Sequence, residues 1–304
     1  MIAVAGGTGT LGRGLVPRLL DRGGRVRVLA RHPDRIPDAW RGRVDAVAVD
    51  VREAAPIEPA LAGVQALVCA VTGFGGPDAG GVPRVDGDGN LALIRAAEAA
   101  GVEHVILMSV AQSAPDHPIE LFRAKYAAEQ LLRESRLAWT IVQPTAYMET
   151  WVGLLGGPLL NGEHARVVGH GRNPINFVSA ADVAFVVDTA LRDPLLRGQT
   201  VVVPGPQNLS LDDLVRAIAR VADVEPAIDH APRALIRLMA AGMSLRRPVL
   251  AGQLRTALVM DTRDMAMDAA SLRRQFPDLA PTGIDDVIRR QLARTGPQPI
   301  LEAA

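Results

Sequence analysis

Met1-Ile2-Ala3-Val4-Ala5-Gly6-Gly7-Thr8-Gly9-Thr10-Leu11-Gly12-Arg13 opens the chain, and its reading decides the fold. The first five residues form a short apolar run, the pattern of a strand buried on both faces of a parallel sheet. Glycines recur at Gly6, Gly9 and Gly12, and Leu11, Leu15 and Leu19 then repeat at helical spacing, with Leu20 alongside. Arg22-Gly23-Gly24 stops that helix, glycine being the usual residue just past a helix end. Arg25 to Ala30 reads as a second strand. Strand, glycine turn, helix and strand within about thirty residues is the context in which a glycine triplet implies a bound nucleotide. Missing Cβ atoms let the backbone approach a pyrophosphate, and the helix N-terminus adds unpaired N–H donors and a partial positive charge.

The residues at the strand ends refine that expectation. A site for NAD(H) usually has Asp or Glu after the second strand, accepting from the ribose 2′-OH. Here Arg31-His32 follows, and Arg13 lies just past the last motif glycine. A guanidinium binds a 2′-phosphate bidentately, so NADP(H) is the expected cofactor. The alternative is an ordinary surface arginine in an Arg-rich chain. A third strand, Val44 to Val49, ends in Asp50-Val51, suited to flanking an adenine; a fourth, Ala66 to Val71, ends in Thr72-Gly73. Open parallel sheets bind ligands at these carboxyl ends. The Gly-, Pro- and Asp-rich stretch 73–89 reads as a mobile loop over the nicotinamide end. A helix over Asn90 to Ala100, a fifth strand over His104 to Met108, a helix from near Pro118 and a sixth strand over Trp139 to Pro144 complete the core.

Composition bounds the partners. Basic and acidic residues number 33 each, with no net charge, so no overall basic excess points to nucleic acid or an anionic membrane. Cys69, the lone cysteine, lies in the apolar run 66–71 and reads as a small buried hydrophobe. No stretch reaches the roughly 18 apolar residues of a membrane span, and the first strand begins at Met1, leaving no room for a signal peptide. The expectation is a cytoplasmic protein, monomer or homodimer, acting on a hydrophobic small molecule. Six histidines without ligand spacing and no Gly-x-Ser-x-Gly elbow predict neither a metal nor acyl-enzyme chemistry.

One lysine, Lys125, stands among 33 basic residues, the other 32 being arginines. Arginine serves wherever a solvated positive charge suffices. It does not serve where a compact, rotatable ammonium able to give up its proton is required. Lys125 and Glu129 are spaced i,i+4 in the predicted helix, which alternatively reads as a surface ion pair.

With these pieces in order, the chain resembles the short-chain dehydrogenase/reductase superfamily, in its atypical NmrA-like branch. The matching segments are GGTGTLGR (6–13), Asp50-Val51, DGDGNLALIRAAEAAGVEHVILMS (86–109) and FRAKYAAEQLLRES (122–135). LAWTIVQPTAYMETW (137–151), INFVSAADVA (175–184) and NLSLDDLVRAI (208–218) continue the series. The resemblance implies a doubly wound parallel Rossmann α/β sheet with a smaller, mostly helical C-terminal substrate lobe. The cofactor core is expected over 1–150, and the lobe over 151–304, interleaved with the last core strands and helices. Cofactor contacts are assigned to Gly6, Thr8, Gly9, Thr10, Leu11, Gly12, Arg13, Arg31, Asp50, Val51, Val71, Thr72, Lys125 and Pro144. The superfamily pairs a tyrosine with a lysine four residues on. Lys125 matches the lysine, but Leu121 stands where the tyrosine would be. In the NmrA-like branch the lysine often acts without it, as general base or proton donor.

The resemblance places the superfamily serine at Ser109, although Ala111 occupies the position two residues on. Tyr126 adjoins Lys125 and turns about 100° away on a helix. Tyr147, after the sixth strand, is either a substrate-site residue or a packing tyrosine. Catalytic roles are therefore expected of Lys125, Ser109 and Tyr147. Ser179 with Asp182 has the spacing of a helix-capping box. The apolar, Met-bearing stretch 235–260 reads as core helices, with a lid over a hydrophobic ligand as the alternative. Three functions remain open. The first is NADPH-dependent reduction of a hydrophobic carbonyl, enone or quinone. The others are a catalytically silent NADP(H)-sensing regulator and a non-redox isomerase, dehydratase or cyclase.

Overall fold

The apolar runs pair as one seven-stranded parallel sheet. A computed structural model of the chain describes residues 1–74, 81–244 and 246–295. In chain order the elements begin with β1 (Ile2–Ala5), α1 (Gly12–Asp21), β2 (Val26–Ala30), β3 (Val44–Ala48) and the single turn α2 (Ile57–Ala60). They continue with β4 (Ala66–Cys69), α3 (Asn90–Ala99), β5 (His104–Met108), α4 (Glu120–Glu134) and β6 (Ala138–Pro144). After these come β7 (Ala146–Tyr147), α5 (Met148–Leu160), β8 (Ala165–Val168), β9 (Ile175–Val178), α6 (Ala180–Arg192) and β10 (Gln199–Val203). The last are β11 (Gln207–Leu209), α7 (Leu211–Ala222), β12 (Ile228–Ala231), α8 (Arg233–Met243), α9 (Pro248–Met260), α10 (Ala270–Gln275) and α11 (Ile284–Thr295).

The sheet order is β10-β6-β5-β4-β1-β2-β3, and every pairing is parallel. The order reverses between β1 and β4, the switch point where doubly wound sheets leave a crevice beyond the strand ends. Val4, Leu67, Leu93, Ile106 and Ile141 are fully buried around it. Each such side chain contributes about 1.5–3 kcal/mol relative to exposure.

The chain divides into two units. The first comprises Met1–Pro144 and Val183–Val203, and the second Thr145–Asp182 and the residues from Pro204 on. The second unit has its own small sheets, β11-β9-β7 and β12-β8, and a core that includes Met148, Leu155, Phe177, Leu214 and Ile288. Buried Asn176 organises it. Its Oδ1 accepts from Gly205 N at 2.7 Å and Thr145 Oγ1 at 2.8 Å, and its Nδ2 donates to Asn208 Oδ1 at 2.8 Å.

Several expectations need correction. The stretch 73–89 is not one mobile loop: Pro83–Gly89 winds as a π-helix that runs directly into α3 and buries Val85 and Asp86. The remainder of that predicted loop over residues 75–80 lies outside the described residues. Ser179 and Asp182 do not form a capping box. Glu149 Oε2 instead accepts from Ala180 N at 2.9 Å, and Asp182 accepts from Thr282 N and Oγ1 at 2.9 and 2.7 Å. A capping box does occur at Ser210 and Asp213. The stretch 235–260 is not core for most of its length either: α8 and α9 pack on each other and bury only Ile236, Ala240, Ala251 and Met260, of which Met260 joins the core of the second unit. Among the described residues no helix is long and apolar enough to cross a membrane, and no cluster of three metal-ligating side chains occurs.

His104, buried at the start of β5, gives the fold a pH dependence. Thr140 Oγ1 donates to Leu196 O at 2.8 Å, so His104 Nε2, at 3.0 Å, donates to Thr140 Oγ1. Burial, then the charge of Arg197, lowers the imidazole pKa from 6.5 to about 4. Between these values the unfolded chain binds more protons than the folded one, so acidification favours unfolding. Denaturant titrations should show this group removing about 1–3 kcal/mol of stability as pH falls from about 6.5 to about 4. His104→Gln, which keeps a donor for Thr140, should flatten that limb.

Candidate active site

The glycine turn follows β1 at the switch point. Gly6 has φ +82°, and a Cβ there would lie 2.5 Å from Ala70 O; at Gly12 a Cβ would lie 2.1 Å from Gly7 O. The fold itself therefore demands both glycines. Gly9 differs: it is exposed, and a Cβ on it would meet only Gly6 O at 3.2 Å. Its missing side chain leaves clear the face that a pyrophosphate would approach, so the turn fits the dinucleotide that its sequence implies. Thr10 is exposed beside it, while Leu11 turns into the core.

Arg13 is exposed, and its Nε donates to Thr8 O at 3.0 Å. This bond fixes the base of the guanidinium and leaves the Nη groups without partners among the described residues. Arg31 follows β2, which lies next to β1, and is exposed. At the end of β3, Asp50 is gripped by Arg52. Arg52 Nε lies 2.9 Å from each Asp50 oxygen, Arg52 Nη2 also contacts Oδ2, and Arg52 N donates to Oδ1 at 3.0 Å. Arg52, with a smaller contribution from Arg31, holds the Asp50 carboxyl below the usual carboxylate range. Val51 packs beside Gly89, whose Cβ would come 2.9 Å from Val51 Cγ2.

Lys125 projects from α4 to the end of β4 and is 4% exposed. Its Nζ donates to Val71 O at 3.0 Å and lies 3.0 Å from Asp86 Oδ1. Asp86 is fully buried, and its Oδ2 accepts from Gly73 N at 2.6 Å and Thr72 Oγ1 at 3.4 Å. Asn90, one turn further on, donates to Asp86 O at 3.0 Å. The sequence reading missed Asp86 entirely. Cys69, near this ammonium, is pushed up to about 12 by burial and stays a thiol.

The surface pair of Lys125 with Glu129 does not exist. Glu129 is 1% exposed, and its Oε1 accepts from Ser109 Oγ, Ser113 Oγ at 2.8 Å and Gln143 Nε2 at 2.8 Å. Its Oε2 pairs with Arg133 at 3.0 Å. Ser109, expected as a catalytic group, thus commits its hydroxyl hydrogen to a buried carboxylate. The backbone passing it is constrained as well: Ala111 N donates to Pro144 O at 2.9 Å, and Gln112 has φ +65°. Leu121 stands one turn before Lys125 and carries no proton to transfer. Tyr147 belongs to the second unit, where it pairs with Val178 of β9. Burial, then the charge of Glu149, raises its phenol above the ordinary value.

The sequence model of a family described as NAD(P)H-binding matches residues 6–194. The chain belongs to this family. Its sheet order and glycine turn agree with the NmrA-like resemblance of the sequence. An NAD(P)H azoreductase of Xenophilus azovorans is 32% identical over 224 residues, covering 73% of this chain and 74% of that protein. A photosystem II assembly factor of Synechocystis is 28% identical over 239 residues, 78% of this chain and 72% of its own. In fold, the chain is similar to an NADPH-dependent quinone oxidoreductase of Escherichia coli solved with NADPH. The TM-score is 0.75 at 20% identity, over 96% of this chain and all of the other.

The Glu129 cluster makes a stability prediction. Glu129→Leu leaves Arg133 and three donors facing an apolar side chain, and urea titration should show a loss of about 3–5 kcal/mol. Ser113→Ala, which removes one of the donors, should cost only about 0.5–1.5 kcal/mol.

Proposed function

We propose that this protein is an NADPH-dependent reductase of a hydrophobic carbonyl, enone or quinone, in which Lys125 manages the proton. One observation carries the reading. The ammonium of the lone lysine, Lys125, is buried at the carboxyl end of β4, the strand paired with the one that leads into the glycine turn, and its Nζ lies 3.0 Å from Val71 O and from Asp86 Oδ1. The names of the azoreductase and the quinone oxidoreductase point to the same class of reaction.

NADPH, when bound, supplies a hydride, and the reduced product needs one further proton. In a quinone, hydride and proton together complete the two-electron reduction to the hydroquinone. Lys125, or a water that it holds, delivers that proton. Asp86 and Val71 O fix the ammonium in place, and Leu121 leaves it without the tyrosine relay. Ser109 is a positioning residue: with Ser113 and Gln143 it locks Glu129, and so α4, against the ends of β5 and β6. Tyr147 keeps its proton and is not a base.

Selectivity for NADPH over NADH rests on Arg13 and Arg31. Asp50 would repel a 2′-phosphate if its charge were free, but Arg52 neutralises it. The NADP(H)-sensing reading draws on Leu121, on the commitment of Ser109 to Glu129, and on the assembly-factor relative. Turnover separates the two.

Two measurements test the assignment. Calorimetric titration should show Arg31→Ala weakening NADPH by about 1.5–3 kcal/mol, as for a lost charge-assisted hydrogen bond, and NADH far less. Equal losses would refute the role of Arg31. Lys125→Arg should retain NADPH binding and slow quinone-dependent NADPH oxidation about a hundredfold or more. An active Lys125→Arg enzyme overturns the proton role, and wild-type protein that binds NADPH without turning over any such acceptor favours the sensor.

A further inference from the structure

The neutral net charge hides a segment of one sign. Between Asp229 and Asp261 the sequence holds five arginines and no Asp or Glu. Arg233 is bound to Asp261 across the base of the α8–α9 hairpin. Arg237, Arg246, Arg247 and Arg255 are exposed and pair with no carboxylate among the described residues. Arg255 donates to Ser244 Oγ at 2.6 Å, which holds its guanidinium near the turn between the helices, where Arg246 and Arg247 lie.

The same hairpin exposes apolar side chains in a pattern. Leu235, Leu238 and Met239 fall at i, i+3 and i+4 on α8 and form one stripe, with Leu238 72% exposed. Ile236 and Ala240 form a separate stripe, which is buried. Val249, at the start of α9, is exposed as well. Helices that pack on each other and still carry a second, exposed apolar stripe, flanked by arginines without carboxylate partners, have the composition of an interfacial element.

We propose that the α8–α9 hairpin docks this protein on an anionic lipid bilayer. The arginines meet headgroup phosphates, and Leu235, Leu238 and Met239 enter the headgroup–acyl boundary. Charge complementarity selects this occupant. A second copy would bring two arginine-rich faces together, and like charges oppose that contact. Single-stranded nucleic acid would want aromatic platforms, and residues 230–260 include no Phe, Tyr or Trp. Each arginine near an anionic surface adds to binding, and salt weakens the sum. Net charge argues against a membrane partner, but the local charge of this hairpin argues for one. The inference stands independently of the redox reading.

The test is co-sedimentation of the full-length protein with vesicles of equal parts phosphatidylglycerol and phosphatidylcholine, beside vesicles of phosphatidylcholine alone. Binding to the anionic vesicles only, reduced by added salt, is the expected result. The double variant Arg246→Glu/Arg247→Glu should weaken partitioning about tenfold or more. Leu238→Ser/Met239→Ser should weaken it with little change in the salt dependence of what remains. Both changes are on exposed side chains, and unchanged thermal unfolding of the variants verifies that they fold. No binding to anionic vesicles, or equal binding to both kinds, overturns the proposal. So does a wild-type dimer in light scattering that either variant dissociates, because the stripe would then be a contact between copies.

Discussion

The buried pair of Asp86 and Lys125 is the constraint around which the first unit is arranged. Both groups are almost fully out of water, so each depends on the other and on its remaining hydrogen bonds. Removing one partner of such a pair leaves an uncompensated charge and costs about 3–5 kcal/mol. Three segments meet there. Asp86 brings the π-helix, Lys125 brings α4, and Val71, Thr72 and Gly73 bring the chain leaving β4. The carboxylate accepts the Gly73 N–H that would otherwise be buried without a partner, and the ammonium caps the Val71 carbonyl. The chain leaving β4 is thereby fixed beside the glycine turn, where a Cβ on Gly6 would lie 2.5 Å from Ala70 O.

One helical turn along α4, Glu129 repeats the arrangement with different partners. Lys125 and Glu129 lie on one face because four residues make about one turn. The i,i+4 spacing says that much and no more. Whether the shared face is wet or dry depends on strands far away in sequence. Here it is dry, so the two charges, instead of pairing with each other, each satisfy a separate set of buried groups. Arg133 supplies the positive charge for Glu129 from the next turn, and Ser109, Ser113 and Gln143 come from the ends of β5 and β6.

The same distinction explains what the sequence made legible. The sheet was readable because a parallel strand buried on both faces is written as a continuous apolar run, and β5 matches its run end for end. The turn at Gly6 to Gly12 was readable because backbone sterics dictate glycine there. Lys125 stood out by its chemistry in a chain that otherwise uses arginine. Asp86 gave no sign of itself: it lies among Gly, Pro and Asp residues that resemble a loop, and its partner is 39 positions away. Two of the Ser-x-x-Asp segments show the same limit. Ser210 and Asp213 cap their own helix, whereas Asp182, at equal spacing from Ser179, turns to Thr282. Local spacing allows a cap; a competing donor a hundred residues on decides it. The hairpin of α8 and α9 was misread as core for a related reason, since an apolar count does not say which stripe finds a partner.

Arginine does the ordinary ion pairing of this molecule. Arg52 grips Asp50, Arg233 grips Asp261, and Arg18, Arg22 and Arg192 surround the buried Asp188. Each of these guanidiniums is partly exposed, and Arg52 reaches both oxygens of its carboxylate, the forked contact that suits guanidinium. The Asp86 site is different. A carboxylate oxygen and a backbone carbonyl converge on one point, each 3.0 Å from the same nitrogen. A compact ammonium can sit at such a point, donating to the carbonyl while its charge faces the carboxylate, whereas a planar guanidinium spreads its donors over a wider arc. That compactness is what an ammonium offers here and an arginine does not. Lysine stands in this chain where the geometry asks for one compact buried charge.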